Sequence, residues 1–267
     1  MIDFKRDSDN LIVAGNGPSL KNIDLNSLPN DFDVFRCNQF YCEDRYYIGK
    51  NIKLVMFNPI VIHHQIRTIH EIIKRNEYKI ENICLNYINN NWDTNFCLNK
   101  FKSKMPFVYI LKDILDKQIL KDVCLFDEFD NLRPTSGVLL MLLGKSLGYK
   151  NIYFIGMDFA LNNNQEQMIY IENSNICNTV YKNNNITNFM DELHNSKYDL
   201  SLINKFNFIP LRTTNELLAE KKIDYINDFI LERNLSFDKK ANYLKTIEKY
   251  LRRKIKKKLG FKKYQQF

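Results

Sequence analysis

Short apolar runs that end in polar residues recur through the first 160 positions and predict buried strands. The runs are residues 10–14, 33–37 and 53–57, with weaker candidates at 82–85 and 107–111. The first run breaks at Gly15, and the next two end at Asn38 and Asn58. Three predicted strands are therefore followed directly by a turn or an amide side chain.

The segment that begins at Thr135 predicts a helix followed by a returning strand. Thr135 or Ser136 is suited to cap a helix over residues 138–147, Gly148 to end it, and residues 151–156 to form the next strand. Strands that alternate with helices predict a doubly wound α/β fold with a mostly parallel sheet. Ligands of such sheets bind beyond the carboxyl ends of the strands. The asparagines that follow the predicted strands, and Asp158, occupy such positions.

Residues 160–193 differ from the rest of the chain, with ten asparagines between positions 160 and 190 and little apolar periodicity. A long stretch of this kind within a compact domain predicts a lid or a loop. Beyond it, residues 196–206 and 214–221 predict helices, and residues 207–211 predict a strand.

Positive charge is concentrated at the C-terminus. From Lys239 onward twelve Lys and Arg residues accompany a single acid, whereas the first 238 residues carry 27 bases and 30 acids. Leucine and isoleucine recur there at helical spacing, which predicts a basic amphipathic helix on an anionic membrane surface. Nucleic acid is the rival partner, but no base-stacking motif supports it. We therefore predict a catalytic domain at 1–235, including the lid, and a membrane-associating segment at 236–267.

Composition and the chain start narrow the class of protein further. Hydrophobic residues make up 45% of the chain and aromatic residues 13%, which excludes a disordered protein. No apolar run is long enough to span a bilayer, and the first ten residues do not have the pattern of a signal peptide. Six cysteines without a C-x-x-C pair predict reduced thiols. We expect a cytoplasmic protein that is peripheral on the inner membrane.

The turn Gly15-Asn16-Gly17-Pro18-Ser19 is the first candidate for chemistry, because its glycines allow the backbone to approach a phosphate or a ribose. It lacks the third glycine of a dinucleotide fingerprint and the lysine of a P-loop. Taken alone, the pattern favours an ordinary turn. Asn38-Gln39 adds paired amides suited to a nucleobase or a sugar, and Thr135-Ser136-Gly137 either binds an anion at a helix start or simply caps it.

Acidic and histidine residues give two further expectations. Asp31-Phe32-Asp33 has the D-x-D pattern of metal-dependent glycosyltransferases, but it precedes its strand, so we expect both aspartates to be solvated and no metal to bind. His63, His64 and His70 fall in a predicted helix. His194 follows the lid, where an imidazole can act as a general base or remain a solvated loop side chain.

Several sequence blocks together resemble the bacterial lipooligosaccharide sialyltransferases of glycosyltransferase family 42. They cover residues 11–20, 28–41, 43–50, 57–59, 135–137, 147–150 and 156–159, and they span most of positions 10–160. The segment His194-Asn195-Ser196-Lys197-Tyr198-Asp199 is similar to the family's His-Ser-Lys segment with its following Asp.

The resemblance implies a modified GT-A (Rossmann-like) fold, a CMP-sialic acid donor, inversion at the anomeric carbon, and neither metal nor cofactor. It implies catalytic roles for His194 as the base, Arg133 and Tyr170. It implies a donor site formed by Asn16, Gly17, Ser19, Asn38, Gln39, Asn58, Thr135, Ser136, Gly137, Gly156, Asp158 and Phe159.

One departure from the family pattern concerns the leaving phosphate. The family commonly has Tyr directly after Asp-Phe and a second Tyr several residues later, whereas this chain has Ala160 and offers Tyr170. Loss of one phosphate donor costs roughly 2 kcal/mol or more of transition-state stabilisation.

The expected protein is a membrane-peripheral, homotetrameric sialyltransferase acting on a terminal galactose or sialic acid of a lipooligosaccharide or related surface glycan. Two alternatives remain open. One is a family member that uses another CMP-linked nonulosonic acid or transfers weakly, and the other is a non-catalytic binder of nucleotide sugar or nucleic acid.

Overall fold

The computed structural model describes residues 4–43, 45–59, 62–89, 97–157 and 196–211 of the 267-residue chain. These residues form one parallel sheet in the order β5-β4-β3-β2-β1-β6-β7. The strands are β1 (Asn10–Ala14), β2 (Asp33–Cys37), β3 (Asn51–Phe57), β4 (Lys79–Leu85), β5 (Val108–Ile110), β6 (Asn151–Ile155) and β7 (Ile209–Pro210).

Helices connect the strands and cover both faces of the sheet. The α-helices are α1 (Ile62–Lys74), α2 (Leu98–Lys104), α3 (Leu111–Ile114), α4 (Lys117–Asp130), α5 (Ser136–Ser146) and α6 (Ser196–Phe206). Short 3₁₀ turns are η1 (Pro18–Asn22), η2 (Leu25–Ser27) and η3 (Phe40–Cys42). α1 packs its isoleucines on one face of the sheet, and α5 packs its leucines on the other.

The strand order creates a topological switch point between β1 and β6. From β1 the chain proceeds outward to β5, and after α5 it returns to place β6 on the other side of β1. The register is nearly level, because Ala14 is opposite both Arg36 of β2 and Ile155 of β6. The carboxyl ends of these strands therefore meet at one edge, where parallel sheets bind ligands.

The predicted α/β class and the mostly parallel, helix-flanked sheet are confirmed. The helix predicted at residues 138–147 is α5, which begins two residues earlier and ends one residue sooner. Gly148 follows it with a positive φ of 85°, and the N–H of Tyr149 donates to Gly144 O at 3.2 Å, so the helix ends in a Schellman motif as glycine at that position favours. β7 is shorter than the strand predicted at 207–211.

The expectation that Asp31 and Asp33 are both solvated is wrong for Asp33. Asp31 is exposed, but the Asp33 side chain is buried at the start of β2. The hydroxyl of Tyr149 donates to Asp33 Oδ2 at 2.5 Å, and the N–H of Asp7 donates to the same oxygen at 3.1 Å. Burial, followed by the hydrogen bond to Asp33, raises the pKa of Tyr149. Both aspartates lie at the amino edge of the sheet, opposite the switch point.

Several predictions fall on residues outside the described ranges. They are the lid at 160–193, the helix at 214–221 and the C-terminal segment at 236–267. Within the described ranges, none of the helices combines the length and the apolar character needed to cross a membrane. The described cysteines are free, and burial raises the pKa of Cys37 to about 11, as expected for an unreactive core thiol.

Candidate active site

The turns that follow β1 and β6 are joined through their backbones. Gly15 N–H donates to Ile155 O and Gly17 N–H donates to Gly156 O, both at 2.8 Å. A Cβ on Gly15 would lie 2.2 Å from Gly156 O, and Gly156 itself has a positive φ of 68°. Gly15 is therefore required because the two backbones approach closely there, and Gly156 is required because of its backbone conformation.

The N-terminus of α5 reaches the same place. A Cβ on Gly137 would lie 2.5 Å from Met157 Sδ, and a Cβ on Gly15 would lie 3.0 Å from Met157 Cγ, so the Met157 side chain packs between the two segments. We name residues 15–17, 135–137 and 156–157 the switch-point site. The structure thus brings together segments that are more than 100 positions apart in the chain.

The first turn of α5 presents backbone donors to this site. The N–H groups of Ser136, Gly137 and Val138 come too early in the helix to have an acceptor four residues before them within it. The Thr135 side chain, at the N-cap position, makes no capping hydrogen bond to them. Such donors, together with the positive end of the helix dipole, bind phosphate groups.

Four asparagines follow four adjacent strands at the carboxyl edge, and we call them the amide row. They are Asn16, Asn38, Asn58 and Asn86. Asn86 Nδ2 donates to Asn58 Oδ1 at 2.9 Å, so the last two members orient each other. Within the described ranges the buried Oδ1 atoms of Asn38 and Asn86 have no hydrogen-bond partner. Asn38 has a φ of 51°, a conformation that asparagine tolerates.

A buried ion pair holds the amide of Asn16. Asn16 Nδ2 donates to Cys37 O at 3.1 Å, while Arg36 Nη2 donates to Asn16 Oδ1 at 3.4 Å and to Glu43 Oε2 at 2.9 Å. Tyr78 donates its hydroxyl to Glu43 Oε1 at 2.6 Å. These contacts orient Asn16 so that its second amide hydrogen remains to be donated to a ligand.

Arg133 lies close to the switch-point site, but its guanidinium is engaged by the protein. It donates to both carboxylate oxygens of Asp127, at 2.7 and 2.8 Å from Nη2, and the side chain is almost fully buried. Asn89 Nδ2 donates to the same carboxylate at 2.5 Å. A bidentate pair of this kind fixes geometry strongly, so the structure gives Arg133 a visible role in holding the segment before α5.

One protein family matches almost the whole of this chain. The model of the alpha-2,3-sialyltransferase (CST-I) family matches residues 9–263. The chain belongs to this family. It is therefore a glycosyltransferase of the sialyltransferase class.

Solved sialyltransferase structures share the fold. The monofunctional alpha-2,3-sialyltransferase Cst-I from Campylobacter jejuni is 30% identical, with 94% of this chain and 98% of that chain covered and a TM-score of 0.70. CstII from Campylobacter jejuni, in complex with the substrate analogue CMP-3FNeuAc, is 28% identical, with 83% and 99% covered and a TM-score of 0.65. CST-II in complex with trisaccharide acceptor and CMP is 32% identical, with 85% and 87% covered and a TM-score of 0.63.

The sequence analysis gives no role in the site to three side chains that the structure of this sialyltransferase places there. Asn86 follows a strand as the other asparagines do, and that repetition is the signal that identifies it. Arg36 lies in the block at residues 28–41 that carries the family resemblance. The sequence does not reveal that its side chain is fully buried behind Asn16. Asp199 accepts the Thr135 N–H at 3.1 Å from 64 residues away, a contact without a local signal.

The remaining predicted site residues are placed as follows. Ser19 in η1 and Gln39 before η3 are half-buried next to the switch-point site and the amide row, respectively. Asp158, Phe159, Ala160, Tyr170 and His194 lie outside the described ranges. Within those ranges no group of three or more His, Cys, Asp or Glu side chains is arranged to hold a metal ion.

Proposed function

We propose that this sialyltransferase transfers sialic acid from CMP-sialic acid to a hydroxyl of a terminal galactose or sialic acid, with inversion and without a metal. The observation that carries the proposal is the switch-point site, where the α5 N-terminus and the Gly15 turn meet beside a row of amides. The sialyltransferase CstII was solved with CMP-3FNeuAc, and CST-II with CMP and a trisaccharide acceptor, which supports the same ligands here.

In this proposal the donor phosphate binds the N–H groups of Ser136, Gly137 and Val138. The Asn16 amide hydrogen is available to the same ligand, because the other polar contacts of that side chain are made by Cys37 O and Arg36. The donor-site residues that sequence reasoning assigns are Asn16, Gly17, Ser19, Asn38, Gln39, Asn58, Thr135, Ser136, Gly137, Gly156, Asp158 and Phe159.

The reaction needs a base and charge stabilisation rather than a Lewis acid. CMP leaves as a phosphate monoester, which is a good leaving group once backbone donors compensate its developing charge. His194 accepts the proton of the acceptor hydroxyl, the acceptor oxygen bonds to the anomeric carbon from the face opposite CMP, and the bond from that carbon to the phosphate oxygen breaks. Tyr170 is proposed as a donor to the leaving phosphate.

Ala160 favours a second candidate within the same class of enzyme. It replaces the tyrosine that the family commonly places after Asp-Phe, so one phosphate donor is absent from its usual position. The second candidate therefore transfers another CMP-linked nonulosonic acid, or transfers sialic acid slowly. Comparing kcat/KM for different CMP-nonulosonic acids separates these possibilities.

Release of CMP tests the proposed reaction. With CMP-sialic acid and a lactoside we expect release that depends on the acceptor and is unchanged by EDTA, and an anomeric configuration in the product opposite to that of the donor. Donor without lactoside is the control for hydrolysis. CMP binding without release would support a non-catalytic binder instead, and suppression of release by EDTA would contradict the metal-free mechanism.

We further propose that residues 236–267 bind the cytoplasmic face of the inner membrane, close to a lipooligosaccharide acceptor, and that the enzyme is a homotetramer. The charge pattern supports membrane binding, since each basic residue near an anionic surface contributes about 1 kcal/mol. We expect affinity for phosphatidylglycerol vesicles that weakens with salt and is lost on deletion of residues 239–267. Equal or tighter binding to DNA would contradict this. Sedimentation of the full chain measures the number of subunits in the oligomer.

A further inference from the structure

Asn86 is the most deeply buried member of the amide row. It follows β4 and is 1% exposed, whereas Asn58, which follows β3, is half-buried. Asn86 Nδ2 donates to Asn58 Oδ1 at 2.9 Å, so the oxygen of the Asn58 amide is engaged by the protein. What the Asn58 side chain keeps for a ligand is therefore its N–H groups, which are donors.

The backbone around Asn86 fixes the direction from which its side chain reaches Asn58. Asn86 N–H donates to Phe57 O at 2.8 Å, in the peptide bond directly before Asn58. Tyr87 N–H donates to Leu85 O at 2.8 Å, which closes a three-residue turn centred on Asn86. The backbone of Asn86 is thus fastened to the end of β3 and constrained by its own turn, as required of a residue that orients another side chain.

Asparagine is a poor choice for this position if its role is only to fill space. The Oδ1 atom of Asn86 is buried and has no hydrogen-bond partner within the described ranges. A buried carbonyl oxygen without a partner lowers stability, whereas an apolar side chain leaves no polar atom unpaired. An unsatisfied polar group that is kept at the expense of stability calls for a functional explanation.

A second amide of the row is oriented in the same sense. Arg36 Nη2 donates to Asn16 Oδ1 at 3.4 Å, so the oxygen of Asn16 also faces a protein donor, and one amide hydrogen is left for a ligand. Both amides therefore add N–H donors to those at the N-terminus of α5. An edge lined with donors matches a ligand rich in oxygen acceptors, and a CMP-linked sugar acid carries a phosphate, a carboxylate and hydroxyl groups.

We propose that Asn86 is a positioning residue for the donor substrate. Its hydrogen bond to Asn58 Oδ1 holds the N–H groups of Asn58 toward the bound donor, where they donate to one of its oxygen atoms. Without Asn86 the Asn58 amide can turn over and present its own oxygen, which repels the acceptor groups of the ligand. Asn86 acts through Asn58 and does not touch the donor. The proposal rests on the proposed sialyl transfer, because that function supplies the acceptor-rich ligand.

A double-mutant cycle tests this role, with the affinity for the substrate analogue CMP-3FNeuAc measured by calorimetry. We expect Asn86→Leu to weaken binding about tenfold or more, because the Asn58 amide is no longer oriented. In an Asn58→Ala background the same change is expected to alter the affinity less than about threefold, because no amide remains to be oriented. Asn86→Ala, with a smaller side chain, is expected to give the same pattern. The cycle is evaluated for the variant that melts no earlier than the wild type, as expected when a buried oxygen without a partner is removed.

Asn82→Leu is the matched control, because Asn82 lies in β4, before its carboxyl end, and donates its side-chain amide to Lys53 O at 2.9 Å. It is expected to leave the affinity for CMP-3FNeuAc unchanged. An equal loss of affinity in both Asn58 backgrounds, or no loss in either, would overturn the proposal. Turnover is measured separately, so a wild type that binds CMP-3FNeuAc but releases no CMP from CMP-sialic acid would count against sialyl transfer while the cycle still decides the role of Asn86. A wild type without affinity for CMP-3FNeuAc would overturn both proposals.

Discussion

Replacement of Gly15 by alanine is expected to reduce kcat/KM about 100-fold or more and to abolish measurable CMP binding. The new Cβ would lie 2.2 Å from Gly156 O and 2.9 Å from Gly156 C, which are backbone atoms and cannot rotate away. The two turns must separate, and the hydrogen bonds that join them lengthen with them. Displacement of binding groups by about 1 Å commonly costs a factor of about 100 in rate.

The same substitution at Gly144 is the matched control. A Cβ there would lie 2.3 Å from Leu11 Cδ2, the flexible end of a side chain in β1, so the overpacking stays in the core. Overpacking of this kind costs about 1–3 kcal/mol of stability in either variant. We expect Gly144→Ala to keep kcat/KM within about threefold of the wild-type value when it is assayed about 20 °C below its own melting temperature. A similar loss of activity in both variants would show that Gly15 affects only folding.

Replacement of a third glycine, Gly137, is expected to have an intermediate effect on CMP affinity. Gly137→Ala meets Met157 Sδ at 2.5 Å, but that neighbour is a flexible thioether that can move aside. We therefore expect its effect on CMP affinity to lie between those of Gly15→Ala and Gly144→Ala. The nature of the neighbouring atom, rather than the distance alone, decides the order.

The carboxyl edge of the sheet was predictable because its signals are local. Each apolar run of strand length is followed at once by glycine or asparagine, and parallel strands bring such positions to one edge. The structure confirms the strands before Gly15, Asn38 and Asn58 and the level register that aligns them. It also extends the pattern to Asn86, whose strand is the weaker candidate in the sequence.

Contacts between distant positions could not be predicted in the same way. The pattern around Thr135 correctly indicates a helix start, but it does not reveal that the backbone N–H of Thr135 donates to Asp199, 64 residues later. Asp33 has the local pattern of a solvated turn, yet Tyr149, 116 residues later, covers it. In both cases the partner is a residue distant in the chain, which no local pattern reveals.

Two ion pairs in the described part of the chain are buried on both sides of the pair. The pairs Arg36 with Glu43 and Arg133 with Asp127 are almost fully buried, and each fixes a segment that borders the switch-point site. A buried ion pair seldom adds stability compared with apolar packing of the same volume. With Asp199, these groups support the view that the carboxyl edge is built for orientation of a charged donor.

Replacement of His194 by alanine is expected to reduce kcat by about 100-fold to 10,000-fold, the range that a positioned general base contributes. His194 itself lies outside the described ranges, but α6 begins at Ser196, two residues later, and Asp199 in its first turn contacts Thr135 of the switch-point site. We expect CMP affinity to change little, because the base acts on the acceptor. The rise of kcat with pH, expected near the ordinary histidine pKa of about 6.5, should disappear.

His70→Ala is the matched control for this prediction, because His70 is 78% exposed on α1 and lies 3.9 Å from Glu71, its ion-pair partner when protonated. It is expected to leave both kcat and its pH dependence unchanged. Added imidazole should restore part of the activity of His194→Ala, since a small base can then reach the acceptor hydroxyl. If His194→Ala keeps kcat within about threefold of the wild-type value, the role of His194 as general base is contradicted. Loss of CMP binding together with kcat would instead assign His194 to the donor.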